Sequence, residues 1–326
     1  MNNQPTISVV IPTYNRARTV GKAIDSVLSQ TRPADEIVVV DDGSSDDTVE
    51  ALQAYGSLIK IVSRPNTGIS GARNDGIKVA SSDWVAFLDD DDEYAPERLQ
   101  IAVESIISHP QAIVHASNMR ILSEDSPPVS LFELRGKNAG ELMLLDQPLI
   151  WALAGCFFVQ ATVCNRSALI AENGFRNDFY EDLDLLVRLT RGRSWSVDKR
   201  CSVSLIRRPD EDLNLSSYWR SKPIENYQAL TRIHREALEF PDLTAGERSV
   251  VESGLATNLF ELGRSLLAHG DRTRAREAFS EAGRLYPKCH SRVKARLAAS
   301  LGNPALQLMS LFQRQRGVFR SSAVKS

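Results

Sequence analysis

The chain has 326 residues, 42% apolar and 25% charged, which suits a soluble globular protein with room for one large α/β domain and something smaller. Lysine plus arginine (39) nearly balances aspartate plus glutamate (41), so no global field favours nucleic acid or acidic ligands, and any electrostatics must be local. The four cysteines, Cys156, Cys164, Cys201 and Cys289, form no CxxC pair and lie near no histidine cluster, which argues for free buried thiols over a zinc site or a disulfide framework. The amino terminus, MNNQPTIS, is not a signal peptide, and the most apolar run, Leu149 to Val159, is well short of the roughly 20 residues that span a bilayer. A cytoplasmic protein without a transmembrane helix is the expectation.

In chain order, Ile7 to Ile11 reads as a buried strand stopped by Pro12. Val20, Ile24, Val27 and Leu28 then fall at helical spacing. Glu36 to Val40 is a second strand. Asp41, Asp42, Gly43, Ser44 and Ser45 follow as a turn whose serines can cap the next helix, with Asp46 and Asp47 in its first turn. Leu58 to Val62 predicts a third strand and Gly71 to Val79 a third helix. Trp84 to Leu88 is a fourth, fully buried strand, followed by a helix from Pro96 to Ile107 whose apolar face is Leu99, Val103, Ile106 and Ile107. Alternation of this kind predicts an α/β fold, a mostly parallel sheet with helices on both faces.

The chemistry sits at the strand ends. No GxGxxG follows the first strand, and no GxxxxGK[ST] occurs. The strand ends instead offer Pro12, Thr13, Tyr14 and Asn15, then Asp41 and Asp42, then Asn66, Gly68, Ser70, Arg73 and Asn74, and finally the run Asp89 to Asp92. That set fits a nucleotide with its base near the first two strands and its phosphates near a metal and an arginine. Asp42 can accept from an imide N–H such as uracil offers, and Arg73 can pair with phosphate. Four adjacent carboxylates repel one another unless a hard divalent cation sits among them, the alternative being a solvated acidic turn.

SVVIPTYNR (Ser8 to Arg16), VVVDDGSSDDT (Val38 to Thr48), NTGISGARNDGI (Asn66 to Ile77) and FLDDDDEY (Phe87 to Tyr94) together resemble the inverting family 2 glycosyltransferases of the GT-A fold. The resemblance covers about residues 5 to 215. It implies that Asp89 and Asp91 are the ends of a DxD motif, with Asp91 ligating Mn²⁺ or Mg²⁺ and Asp89 reaching the ribose or a metal-bound water. It also implies a nucleotide site that includes Pro12, Thr13, Tyr14, Asn15, Asp90, a uracil-reading Asp42 and a diphosphate contact from Arg73. Asp41 and Asn74 are expected to hold turns together. In the segment AENGFRNDFYEDLDLLVRLTRG (Ala171 to Gly192), acidic residues at a helix start are ordinarily dipole partners. The resemblance makes Asp182 the general base, with Glu181 second, and leaves Asp184 as an i+4 partner for Arg188.

The pattern departs from the family at Leu205 to Ser217, LIRRPDEDLNLSS, which lacks the histidine that completes the metal shell in many relatives. Arg207, Arg208, Asp210 and Asp212 are the candidates to replace it. From Tyr218 onward helical stripes dominate, so the chain is divided into a catalytic domain, 1–216, and a helical region, 217–326. Within the latter, Leu262, Gly263, Ala268, Gly270, Ala275, Phe279, Ala282 and Pro287 resemble one tetratricopeptide-type hairpin.

The resulting expectation is a metal-dependent inverting glycosyltransferase of hexosyltransferase type. It takes a nucleotide sugar, a UDP-sugar first, and a glycan or lipid-linked acceptor in cell-envelope or exopolysaccharide synthesis. The alternatives are a degenerate sugar-nucleotide domain acting as a scaffold and a nucleotidyltransferase; the second would want a glycine- and lysine-rich loop that Thr13 to Arg18 lacks. The tail Ser291 to Ser326 is basic with no acidic residue, which suggests peripheral contact with the inner face of a membrane.

Overall fold

The computed structural model describes residues 4–123, 126–137, 142–207 and 221–285. The chain divides into two compact units, residues 1–211 and 212–326, and the boundary expected at 216 lies outside the described residues.

The first unit is built on a ten-stranded sheet among the described residues. Its parallel half comprises β1 (Ile7–Thr13), β2 (Glu36–Asp41), β3 (Lys60–Ser63) and β4 (Trp84–Phe87), in the order β3-β2-β1-β4. These strands alternate with helices α1 (Val20–Leu28), α2 (Thr48–Gln53) and α3 (Ile69–Val79). The chain runs outward from β1 to β3 and then returns to the other side of β1 as β4. That reversal makes a switch point at the carboxyl ends of β1 and β4, where open α/β sheets bind ligands.

Pro12 does not end the first strand; it pairs with Val40 inside β1. The Thr13 carbonyl accepts from Asp42 on the β2 side, so the nitrogen of Pro12 faces the β4 side. There β4 pairs only as far as Val10, and the missing N–H costs no ladder bond.

Beyond β4 the sheet is mixed. The further elements are β5 (Glu93–Tyr94), α4 (Arg98–Ser108), β6 (Ala112–Ser123), β7 (Ser126–Ser130), α5 (Leu131–Leu134), β8 (Met143–Leu145), α6 (Pro148–Leu153), β9 (Thr162–Asn165), α7 (Arg166–Ala171), α8 (Glu181–Leu189) and β10 (Ser194–Arg207). β9 runs antiparallel to both β4 and β6, and β10 runs parallel to β6. Two apolar clusters, one including Ile7, Val9 and Ile24 and the other Val10, Val38 and Leu185, take alternate residues of the buried strands. Ile107, expected on the buried face of α4, is 62% exposed, and Ala102 takes the inward position. Cys156 and Cys164 are buried and Cys201 half-buried, all as free thiols; Cys289 lies outside the described residues.

The second unit contains α9 (Pro223–Leu238), α10 (Ala245–Ala268) and α11 (Arg272–Leu285). Thr244 and Glu247 form a capping box that starts α10. Gly263 lets α11 approach: a Cβ there would lie 2.7 Å from the Phe279 ring. Leu262, Gly263, Ala275, Phe279 and Ala282 of the hairpin pattern are buried, Ala268 and Gly270 are exposed, and Pro287 lies outside the described residues. Among the described residues no helix is long and apolar enough to cross a membrane.

Candidate active site

The loops that follow β1 and β2 are bonded to each other. Asn15, in the left-handed region at φ 53°, donates its backbone N–H to Ser44 Oγ (2.9 Å) and accepts from the Ser45 N–H at Oδ1 (2.8 Å). The Arg16 N–H donates to Thr48 Oγ1 (2.8 Å). Ser44 and Ser45 therefore bind the first loop and do not cap α2; Asp46 instead accepts from the Thr48 N–H (3.0 Å). Pro12 and Thr13 are buried in β1 beneath this junction, whereas Tyr14 stands 46% exposed above it.

Asp41 and Asp42 are both buried. Asp41 accepts from the Ser44 N–H (3.0 Å), the turn-holding role expected of it. Asp42, the residue expected to read a base, accepts from the backbone N–H groups of Thr67 (3.1 Å) and Gly68 (2.8 Å) and lies 3.4 Å from Arg64. In this structure it fastens the second and third loops together, with two successive backbone donors ahead of α3 converging on its carboxylate.

The aspartate run makes one tight turn, closed by the Asp92 N–H donating to the Asp89 carbonyl (3.1 Å). Its carboxylates meet different neighbours. Asp89 accepts from Arg73 Nη2 at one oxygen (2.8 Å) and from Gln160 Nε2 at the other. Asp90 lies 3.6 Å from Arg16; burial pushes its carboxyl up to about 7, with Thr13 and Arg16 pulling back and Asp91 and Asp89 adding to the rise. Asp92 accepts from the Ile206 N–H (3.0 Å), and burial, then the charges of Asp89 and Asp91, raise it well above the usual carboxylate range. Asp89, Asp91 and Asp92 each offer an oxygen within 4.8 Å of the others. Asp92 is buried and Asp89 and Asp91 half-buried, and a hard dication with oxygen ligands fits three carboxylates crowded at this spacing. Asp92 is the third acidic group beside Asp89 and Asp91; of the candidates named from Leu205 to Ser217, the side chain of Arg207, and Arg208, Asp210 and Asp212, lie outside the described residues.

Arg73 departs furthest from expectation. It is 1% exposed, and both its terminal nitrogens are engaged by carboxylates, which leaves diphosphate no open face of the guanidinium. Nη2 bonds Asp89, while Nη1 bonds Asp182 at 2.6 Å and Glu181 at 3.2 Å. The guanidinium lies over the Phe175 ring, 5.1 Å from its centre. Asn74 clamps Phe175 through both backbone groups at 2.8 Å, which is a turn-holding role like that of Asp41.

Glu181 and Asp182 open α8 directly after Tyr180, whose φ of 59° is left-handed. Burial raises both carboxyls, Glu181 up to about 7 with the Asp182 charge adding to the rise, and Asp182 upward despite the Arg73 cation. The Asp182 side chain keeps 19% of its surface accessible and that of Glu181 only 6%. Asp184 bonds Arg188 at 2.9 Å, the i+4 pairing expected. Gln160 and Asp92 complete the cluster; Gln160 was absent from the sequence-based set, and Asp92 entered it only as part of the acidic run with no role of its own. Their signals were a lone amide inside the apolar run Phe157 to Ala161 and a fourth aspartate that a DxD reading leaves over.

Residues 8–161 match the family model described as Glycosyl transferase family 2, and through that segment the chain belongs to this family. An uncharacterized glycosyltransferase of Nostoc sp. is 47% identical over 102 residues, 30% of this chain and 32% of that protein. The GalNAc(5)-diNAcBac-PP-undecaprenol beta-1,3-glucosyltransferase of Campylobacter jejuni is 30% identical over 212 residues, 63% of this chain and 66% of that protein. The matched stretches span only 32%, 20% and 24% of the Nostoc relative and two Rickettsia relatives. Among solved structures, S. aureus TarS 1–349 in complex with UDP-GlcNAc superposes with a TM-score of 0.64 at 21% identity, covering 86% of this chain and 81% of that one. The mannosyltransferase PcManGT of Pyrobaculum calidifontis, in complex with GDP-Man and Mn²⁺, gives 0.58 at 17% identity and covers 96% and 81%. The fold is of the GT-A type.

Proposed function

We propose that the chain is an inverting glycosyltransferase that moves a sugar from a nucleoside diphosphate, a UDP-sugar first, to a hydroxyl of a glycan or lipid-linked acceptor in cell-envelope polysaccharide synthesis. The observation that carries this reading is the pairing of an acidic cluster at the sheet's switch point with a second carboxylate pair across one buried guanidinium. The Campylobacter relative, named for an undecaprenol-linked acceptor, supports the lipid-linked option, and the UDP-GlcNAc complex of the TarS neighbour supports the donor.

Tyr14, exposed above the first loop, would stack on the base. A divalent ion held by Asp91 with Asp89 and Asp92, Mn²⁺ or Mg²⁺, would neutralise charge on the departing diphosphate. Asp89, held from two sides by Arg73 and Gln160, keeps lone pairs for a ribose hydroxyl or a metal-bound water. Asp182, the more accessible carboxylate of its pair, takes the proton of the acceptor hydroxyl as that oxygen bonds the anomeric carbon and the bond to diphosphate breaks; its raised proton affinity suits a base working near neutrality. A single displacement inverts that carbon.

The test is a panel of UDP-, GDP- and dTDP-sugars with Mn²⁺, read by thermal shift and by released nucleoside diphosphate. One donor is expected to raise the midpoint and to be turned over. A donor that binds without turnover in the presence of polyprenyl-linked and free glycan acceptors would instead favour the scaffold alternative.

A further inference from the structure

Arg73 is nearly inaccessible, so whatever it does it does through its neighbours. Its two ends address the two halves of the proposed reaction. Nη2 holds Asp89 on the donor side, and Nη1 holds Asp182, the proposed base, on the acceptor side. A planar fork can bridge two such groups in one fixed geometry; an ammonium cannot.

The orientation of the fork is itself set from below. Phe175 lies against the guanidinium face, Asn74 pins the Phe175 backbone at both N–H and C=O, and Phe87 meets the Phe175 ring edge-on at 5.2 Å. Asn74 follows Arg73 on α3, so one helix supplies both the fork and the clamp on its support. The shorter of the two Nη1 bonds goes to Asp182 (2.6 Å) and the longer to Glu181 (3.2 Å), which distinguishes two adjacent carboxylates otherwise alike in chemistry.

We propose, resting on the reading of Asp182 as base, that Arg73 is the positioning residue of the transfer step: it aims Asp182 rather than Glu181 at the acceptor and ties that aim to Asp89 on the donor side. It touches neither substrate. Misplacing a reacting group by about 1 Å costs on the order of 10²-fold in rate, so the effect falls on the rate of transfer and not on donor affinity.

The test compares kcat with the KM for donor in the full chain. Arg73→Lys keeps the charge and loses the second arm, and it is expected to lower kcat by about 10- to 100-fold with donor KM within about threefold. Phe175→Leu leaves every charge in place and only frees the fork; it is expected to lower kcat by several-fold, again at unchanged donor KM. Thermal midpoints identify variants that fail to fold, and if Arg73→Lys is one of them, Phe175→Leu decides. An unchanged kcat in folded Phe175→Leu, or a tenfold rise in donor KM at full kcat in Arg73→Lys, would overturn the proposal; the latter would return Arg73 to the diphosphate. Asp182→Asn separates the two levels: full kcat in that variant removes the base assignment and the proposal with it, whereas a dead Asp182→Asn beside an active Arg73→Lys removes the positioning role alone.

Discussion

Asp89 to Asp92 leave a buried strand within a single turn, where two like charges about 4 Å apart repel by about 4 kcal/mol at an effective dielectric near 20. Arg73 and Gln160 answer part of that repulsion at Asp89, and the Ile206 N–H part of it at Asp92. Asp91→Asn removes one charge from the cluster. Nucleoside diphosphate release with Mn²⁺ is therefore expected to vanish, while the thermal midpoint in chelator holds or rises. Full turnover in excess chelator would reduce the run to an acidic turn. Across Arg73, Asp182→Asn is expected to lower kcat by at least about 10²-fold at nearly constant donor KM, and Glu181→Gln to do less. Glu181 also predicts a pH dependence. Burial, then the Asp182 charge, push its carboxyl up to about 7 from an ordinary 4.5, so it binds its proton more tightly when folded. The stability this contributes is complete below about 4.5 and is lost as pH rises through about 7, and Glu181→Gln should reduce, without abolishing, the fall of the denaturation midpoint across that window, since Asp90, Asp92 and Asp182 are raised as well. The acidic run was legible in the sequence because consecutive aspartates after an apolar strand are conspicuous. Spacing alone favoured dipole partners at Glu181 and Asp182, and only the resemblance made them catalytic. The roles of Arg73 and Gln160 were not legible: the partners of Arg73 lie 16, 108 and 109 residues away and that of Gln160 lies 71 away, distances only the fold closes.

At the scale of elements, the position of Arg73 depends on how closely α3 lies on the sheet. Gly76 sets that distance: a Cβ there would come within 2.2 Å of Val10 Cγ1 in the middle of β1. Gly76→Ala is expected to destabilise the chain by about 1–3 kcal/mol through overpacking. It also lifts the helix that carries Arg73 one turn away. Val10→Ala in the same chain should recover part of the loss, read as a non-additive double-mutant cycle in chemical denaturation; additive losses would show that the two residues do not bear on each other. The strands β1 to β4 and the helices α1 to α4 were readable because apolar runs alternate with helical stripes. The second half of the sheet was not, because β6 and β10 carry polar residues whose partners lie on the neighbouring strand. His115 Nδ1 meets Ser196 Oγ at 2.6 Å, and the Ser117 hydroxyl bonds that of Ser202. Pairs that satisfy each other inside a sheet erase the alternation by which a strand is recognised.

For the whole chain, the proposed lipid-linked acceptor calls for a route to the membrane that does not use a crossing helix, since none is found among the described residues. The segment Ser291 to Ser326, outside the described residues, carries Arg292, Lys294, Arg296, Arg314, Arg316, Arg320 and Lys325 and no acidic residue, with Leu306, Leu308, Met309, Leu311 and Phe312 after Pro304. Each Lys or Arg held near an anionic surface contributes about 1 kcal/mol and fades within a Debye length. Apolar side chains entering the headgroup boundary add a term that salt does not screen. Binding built from both is expected to weaken with salt in proportion to its electrostatic share. The full-length chain should co-sediment with anionic vesicles at low ionic strength, release at high, and lose the affinity when cut before Ser291. Neutral vesicles should capture little. If the truncated chain sediments as well as the full one, the tail is not the anchor. If neither binds, the acceptor is met in solution or through a partner, and a soluble glycan becomes the acceptor to try first.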